Sequence, residues 1–308
     1  MAGFEIRSES RMTEFALLGV LACFWASSYT FIRIGVETIP PLALMGGRTL
    51  IAGVLLFVIM RMWGARWPKG RVIWRKIWTQ AILGIVCPFA LIAWAEITVE
   101  ASLASILNAT TPIFATLLTV IVTRHEAITG GKLFGVVIGM AGVCLLVGLE
   151  AVNGVGRDVV AQLAVVAASA CYAGGAIYGR NLKEIDPLAT AATTTLSAAL
   201  LLIPASLVLE HPWTAAPSRM SLIAMLVLAI FSTALAYVIY FRLIQTLGSV
   251  GTTAQSYLRV PIGVAIGVVF LDESLDLSDA IGMACVIAGV AAMTIPSRRA
   301  PIPPEIVR

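Results

Sequence analysis

The stretch WASSYTFIR, residues 25–33, decides how this chain is read, because a faint copy of it returns as YAGGAIYGR at 172–180. A shift of 147 residues lays Trp25, Arg33, Glu37 and Pro40 on Tyr172, Arg180, Glu184 and Pro187. The same shift lays Gly135 and Gly142 on Gly282 and Gly289, and a slip of two residues brings Pro112 onto Pro261. Identity is sparse, but the order of the anchors is kept. The chain therefore reads as two copies of one unit.

Composition says where that unit lives. Of the 308 residues, 59% are hydrophobic and only 12% charged, with a mean hydropathy of +0.94. Soluble domains carry roughly 25% charge. A shortfall spread over the whole chain implies a polytopic membrane protein. Crossing a bilayer takes about 20 mostly apolar residues. Ten runs meet that, near 14–34, 39–61, 77–97, 101–123, 131–149, 159–180, 187–209, 219–242, 249–271 and 278–296. In tandem arrays of this kind only helices satisfy their own backbone. The first run is too long for the apolar core of a signal peptide and is half of the repeat, so it stays a helix. The proline-rich end PSRRAPIPPEIVR reads as a disordered tail. Each of the 5 cysteines falls inside an apolar run without CxxC spacing and reads as a small packing residue.

The fold class expected is thus all-α, with ten transmembrane helices. The expected units are an N-terminal segment 1–13, repeats 14–150 and 151–296, and a tail 297–308. Each repeat holds five spans, an odd number, so the second starts on the opposite side from the first. Inverted repeats of this kind place a substrate near the midplane between them. The Lys and Arg residues set the orientation. Arg33, Arg157 and Arg219 fall on one face, Arg48 and Arg259 in mid-span, and all others on the opposite face or its tails. The positive-inside rule puts that richer face, with both termini, in the cytoplasm.

At this point the residues resemble a known family. WASSYTF is similar to the tryptophan–glycine/serine–asparagine entry of the drug/metabolite transporter superfamily, EamA type. The block from Ala101 to Val147 resembles that family's second signature, with Pro112, then Glu126, then a glycine-rich span; Pro261 and Glu273 repeat it. Arg48 in GGRTLIAG matches the family's second-span arginine. The resemblance covers roughly residues 14–296. It implies two inverted five-helix repeats around a central cavity in a bacterial inner membrane. Within the superfamily the chain looks most like amino acid exporters of the aromatic amino acid exporter (YddG-like) type.

The polar residues in mid-span are the candidates for function. An arginine at bilayer depth is costly, and Arg259 in AQSYLRVPIGVAIG (254–267) needs a wet cavity or a partner. Its planar fork suits a carboxylate. No acidic residue lies at matching depth, since Glu96 sits near an outer helix end. The partner is then a carbonyl, water or an anionic substrate group. Arg48, matched to a family-wide position, reads as structural. Pro112 and Pro261 free the carbonyls of Asn108 and Tyr257. These act either as packing kinks or as breaks that expose carbonyls to a cavity. Asn108, Gln255 and Ser256 flank them; Gln255 and Arg259 share a helix face. Singly, such residues serve as interhelical glue; clustered in two proline-broken spans, they read as substrate contacts. Trp25, Tyr29, Tyr172 and Tyr237 form an aromatic set that either walls a pocket or belongs to an interfacial belt. Trp63, Trp67, Trp74 and Trp78, beside the basic loop 61–76, fit the belt.

Other chemistries lack their groups. GGKL at 130–133 is not a Walker A loop, HEAIT at 125–129 lacks a second histidine, and no nucleophile–base pair or metal-ligand cluster appears. The expectation is a cofactor-free secondary transporter, not an enzyme, without a nucleic-acid partner, embedded in lipid as a monomer or homodimer. Its cargo would be amino acids and related small metabolites, exported by alternating access. Rivals are an exporter of cationic drugs, which should carry a buried carboxylate, and a transporter of sugar-linked metabolites, which usually wants several buried cations. A membrane enzyme or a scaffold is the rival of another class.

Overall fold

The computed structural model describes residues 2–111, 113–115, 117–118, 130–147, 157–182, 184–246, 255–272 and 276–294. Among them every regular element is helical. The long helices are α1 (Ala2–Val36), α2 (Pro41–Met62), α3 (Arg71–Ala81), α4 (Cys87–Ala95), α5 (Ala101–Asn108), α6 (Gly130–Val147), α7 (Arg157–Gly179), α8 (Pro187–Leu209), α9 (Arg219–Ala229), α10 (Ala236–Thr246), α11 (Gln255–Leu271) and α12 (Leu277–Thr294). A wide π-helical turn joins α3 to α4 over Ile82–Val86, and another joins α9 to α10 over Ile230–Leu235. The 147-residue shift carries the first turn to within two residues of the second.

Among the described residues, six helical segments are long and apolar enough to cross a membrane: Met12–Val36, Pro41–Met62, Arg71–Ala95, Val159–Gly179, Pro187–Leu209 and Arg219–Tyr240. Shorter apolar helices occupy Ala101–Ala115, Arg259–Leu271 and Ala280–Gly289. Their outer faces are apolar and exposed, as at Val54, Leu200, Val208, Val269 and Phe270. In water such a surface would aggregate; in a bilayer it is the face that lipid covers. Two boundaries differ from the sequence reading. Helix α1 starts at Ala2, well before the apolar run, and the third segment starts at Arg71. Nothing in either stretch breaks a helix, and only the side chains change from polar to apolar.

Packing follows the repeat. Helix α2 lies along α8 and α6 along α12, and in both pairs the partners are segments that the shift aligns. Small residues permit the second pairing. A Cβ on Gly142 would stand 2.8 Å from the Gly282 carbonyl oxygen, and one on Gly289 would stand 2.6 Å from that of Gly135. The first pairing is tied at its end. The Glu210 carboxylate, just past α8, accepts the Leu42 and Ala43 amides at 2.8 and 2.9 Å. These are orphan donors at the start of α2, where a negative charge is also favoured. Glu210→Ala is expected to cost about 1–2 kcal/mol of stability, read as a lowered unfolding midpoint in detergent. An unchanged midpoint would show that solvent satisfies those amides equally well.

Candidate functional site

Helices α1, α5, α7 and α11 bring most of the sequence candidates into one buried cluster. Asn108 stands at its centre, 1% exposed. Its Nδ2 donates to the Tyr29 hydroxyl on α1. Its Oδ1 accepts Ser169 Oγ of α7 at 3.1 Å and Thr111 Oγ1 at 3.0 Å. Ser28 turns back on its own helix, donating to the Trp25 carbonyl at 2.7 Å. Tyr172 lies one turn beyond Ser169 on α7, half-buried. Asn108 is therefore a joint between three helices, its acceptor oxygen fully used.

Arg259 completes the cluster from α11. It is 9% exposed, and its Nε has no hydrogen-bond partner among the described residues. Its charge reaches both Tyr29 and Tyr172. Gln255 lies one turn earlier on the same face and is also buried. Pro261 is placed differently. Its ring lies in the exposed stripe that continues through Ala265 and Val269, on the side of α11 away from Arg259. The carbonyl it frees, that of Tyr257, lies on the same side of the helix as the ring. Pro112 and the side chain of Ser256 lie outside the described residues.

The aromatic candidates gather beside this cluster. The Trp25 ring stands 6.4 Å from Tyr237 and 5.3 Å from Tyr240, centroid to centroid, and the two tyrosines are 6.4 Å apart. Edge-to-face and tilted packing at this range suits the ring quadrupoles. The group joins α1 to α10 and borders the polar cluster through Tyr237. Trp67 and Trp74 instead meet at 5.6 Å with their rings tilted by 45°, beside the basic loop, and Trp67 packs against a separate apolar cluster around Leu56 and Met60. A cavity of about 440 Å³ opens there, between Gly64–Pro68 and Glu184–Asp186, and shares no residue with the buried cluster.

Three features escaped the sequence reading. The first is the setting of Arg48. It is 3% exposed and docks into the π turn of α9–α10, its Nε donating to Thr233 Oγ1 at 2.7 Å and Nη2 to the Ser232 carbonyl at 3.4 Å. Its guanidinium carbon lies 4.3 Å over the Phe89 ring. The pair Ser232–Thr233, a polar island in an apolar run, was the available signal. The second is Glu96. Its place at the end of α4 suggested an outer position, yet the residue is wholly buried and its charge reaches Tyr29 and Arg48. The third is Arg33, which donates to the carbonyls of Glu96 and Ile97 and so caps the end of α4. Among the described residues no group of acidic, histidine or cysteine side chains could hold a metal.

Comparison with known proteins adds to this geometry. The EamA-like transporter family matches residues 14–148 and again 159–295. The uncharacterized inner membrane transporter YedA of Escherichia coli (strain K12) is 26% identical, over 98% of this chain and 97% of that protein. A probable terminal-alkyne amino-acid exporter of Streptantibioticus cattleyicolor is 26% identical, over 86% and 88%. A solved crystal structure shares the fold at a TM-score of 0.65, with 18% identity over 91% of this chain and 96% of its own.

Proposed function

The chain belongs to the EamA-like transporter family and is a membrane transporter; on that premise we propose that it exports amino acids, aromatic and neutral ones included, and related small metabolites. The route is outward across the bacterial inner membrane by alternating access, with both termini in the cytoplasm. The architecture proposed is ten transmembrane helices in two inverted five-helix repeats, 14–150 and 151–296. The aligned pairing of α2 with α8 and of α6 with α12, and the matched π turns, support it.

One observation carries the substrate class: a buried guanidinium whose Nε–H has no hydrogen-bond partner among the described residues. A free donor of this kind is expensive in a membrane interior unless something polar visits it. A substrate carboxylate is the matching visitor, because a guanidinium binds it in a planar fork. Trp25, Tyr237 and Tyr240 would take an apolar or aromatic side chain. Asn108 would set the positions of α1, α5 and α7 around it, and Gln255 would add a polar contact. The relative named as a probable amino-acid exporter agrees with this class.

A second reading has its own support. Export of cationic compounds wants a buried carboxylate, and Glu96 is one. Purified protein in liposomes, given labelled amino acids and a quaternary ammonium dye in parallel, separates the two. Flux of several amino acids, strongest for aromatic ones, is the expected result. Flux of the dye alone would move the assignment to cation export.

A further inference from the structure

We propose that substrate leaves the interior along the seam between α1, α5 and α11, and that the contact of Ser105 with Gly263 is its gate. The proposal rests on the exporter reading above and adds the path and the residues that open it.

The seam is defined by three helix faces. Helix α11 packs on α1 and on α5, and α1 packs on α5. Residues four apart on α11 share one face, which here runs Arg259, Gly263, Gly267, Leu271. On α1 the facing row is Ala26, Thr30, Arg33, Glu37. On α5 it climbs from Ser105 to the helix start after Glu100. Along these faces lie three buried polar atoms without a hydrogen-bond partner among the described residues: Arg259 Nε, Ser105 Oγ and Thr30 Oγ1. All three residues are at least nine-tenths buried. Polar atoms left unmatched inside a membrane protein are costly. A row of them ending at an opening is what a passing polar solute would use.

The opening is there. A mouth of about 270 Å³ is lined by Arg33, Glu37, Glu100, Leu271 and Asp272, the end residues of the same three helices. Its three carboxylates and one guanidinium offer both signs of charge to a zwitterion. Between Arg259 and this mouth the seam is shut. A Cβ on Gly263 would stand 2.5 Å from Ser105 Oγ and 3.1 Å from Ser105 Cβ, with the Ala26 carbonyl at 3.8 Å. No side chain fits there. Yet the closure is made by small groups in van der Waals contact, because Ser105 Oγ has no hydrogen-bond partner among the described residues to give up. Such a contact parts more easily than one locked by hydrogen bonds. Closing needs the absence of a side chain at Gly263, and opening needs the absence of a bond at Ser105.

The test uses a full-length variant with the 5 native cysteines replaced by serine. Into it go Ser105→Cys and Gly263→Cys together. The 3.1 Å separation is a little under the roughly 3.5–4.5 Å of a disulfide, so a small shift closes the bond. Oxidation, followed by mass, is expected to cut amino-acid flux in liposomes at least about tenfold, and reduction is expected to restore it in the same sample. Full flux through the crosslinked protein would overturn the proposal. Because Gly263→Cys could impair folding, Ser105→Cys alone gives a second measurement that needs no transport. In intact cells a membrane-impermeant maleimide should label the Ser105→Cys variant from outside, faster when amino acid is supplied inside. Complete protection under both conditions would also overturn the gate. Absent flux in the cysteine-containing parent would sink the exporter reading instead, and labelling would still report on the seam.

Discussion

Arg259→Ala is expected to lower amino-acid flux by about ten- to a hundredfold while leaving the fold intact. The size follows from a charge-assisted hydrogen bond to a substrate carboxylate, worth about 1.5–3 kcal/mol, with tenfold per 1.4 kcal/mol. The direction of the stability change follows from the same side chain. Among the described residues Nε has no partner to lose, and a buried charge is removed, so the unfolding midpoint should stay or rise. Arg259→Lys keeps the charge but not the fork and should recover only part of the flux. Flux in liposomes, normalised to folded protein, and thermal unfolding in detergent are read together. Normal flux with a lowered midpoint would make Arg259 a structural residue, and the carboxylate reading would fall with it.

Sequence reasoning reached Arg259 because cost is visible in a sequence: a charge beside a proline in an apolar run demands an explanation. It also singled out Tyr29, on one helical face with Trp25, and Tyr172, the counterpart of Trp25 in the repeat. It reached Asn108 as well, but not its neighbours, since nothing in the string tells that Ser169 and Thr111 donate to its oxygen. Burial of Glu96 was illegible for a different reason. A residue at a helix end looks external until neighbouring helices overshoot it, and here α1 does so, with Arg33 crossing onto the Glu96 carbonyl. The π turns left no pattern either. They add one residue to a turn without changing the apolar character of ILGIV or IFSTAL, and only the polar pair Ser232–Thr233 marks the second. Membrane segments lose half of the usual code, because both faces of a helix are apolar. Position along the chain stays readable, and rotation about the helix axis largely does not.

Arg48→Ala should do the reverse of Arg259→Ala and remove stability first. The two arginines look alike in sequence, each a lone cation in an apolar run, but their surroundings oppose each other. Arg48 is held by Thr233 Oγ1, by the Ser232 carbonyl and by the Phe89 face. Thr233 Oγ1 meanwhile donates to the Leu228 carbonyl at 2.9 Å, a bond that spans the widened turn. The guanidinium therefore fills and seals the π turn while touching the segment just after its counterpart, at Phe89. Truncation leaves a cavity the size of the side chain and unpaired acceptors on Ser232 and Thr233. Each kind of loss costs about 1–3 kcal/mol or more, so a total of about 3 kcal/mol or more is expected. The observable is a midpoint lowered by many degrees and a smaller monodisperse fraction after solubilisation. Arg48→Lys can reach Thr233 but cannot also bond Ser232 and cover Phe89, so it should fall between. Stable Arg48→Ala protein with lost flux would contradict this and make Arg48 the substrate's guanidinium. The roles rest on one physical difference: Arg48 has spent its donors on the protein, and Arg259 has kept one.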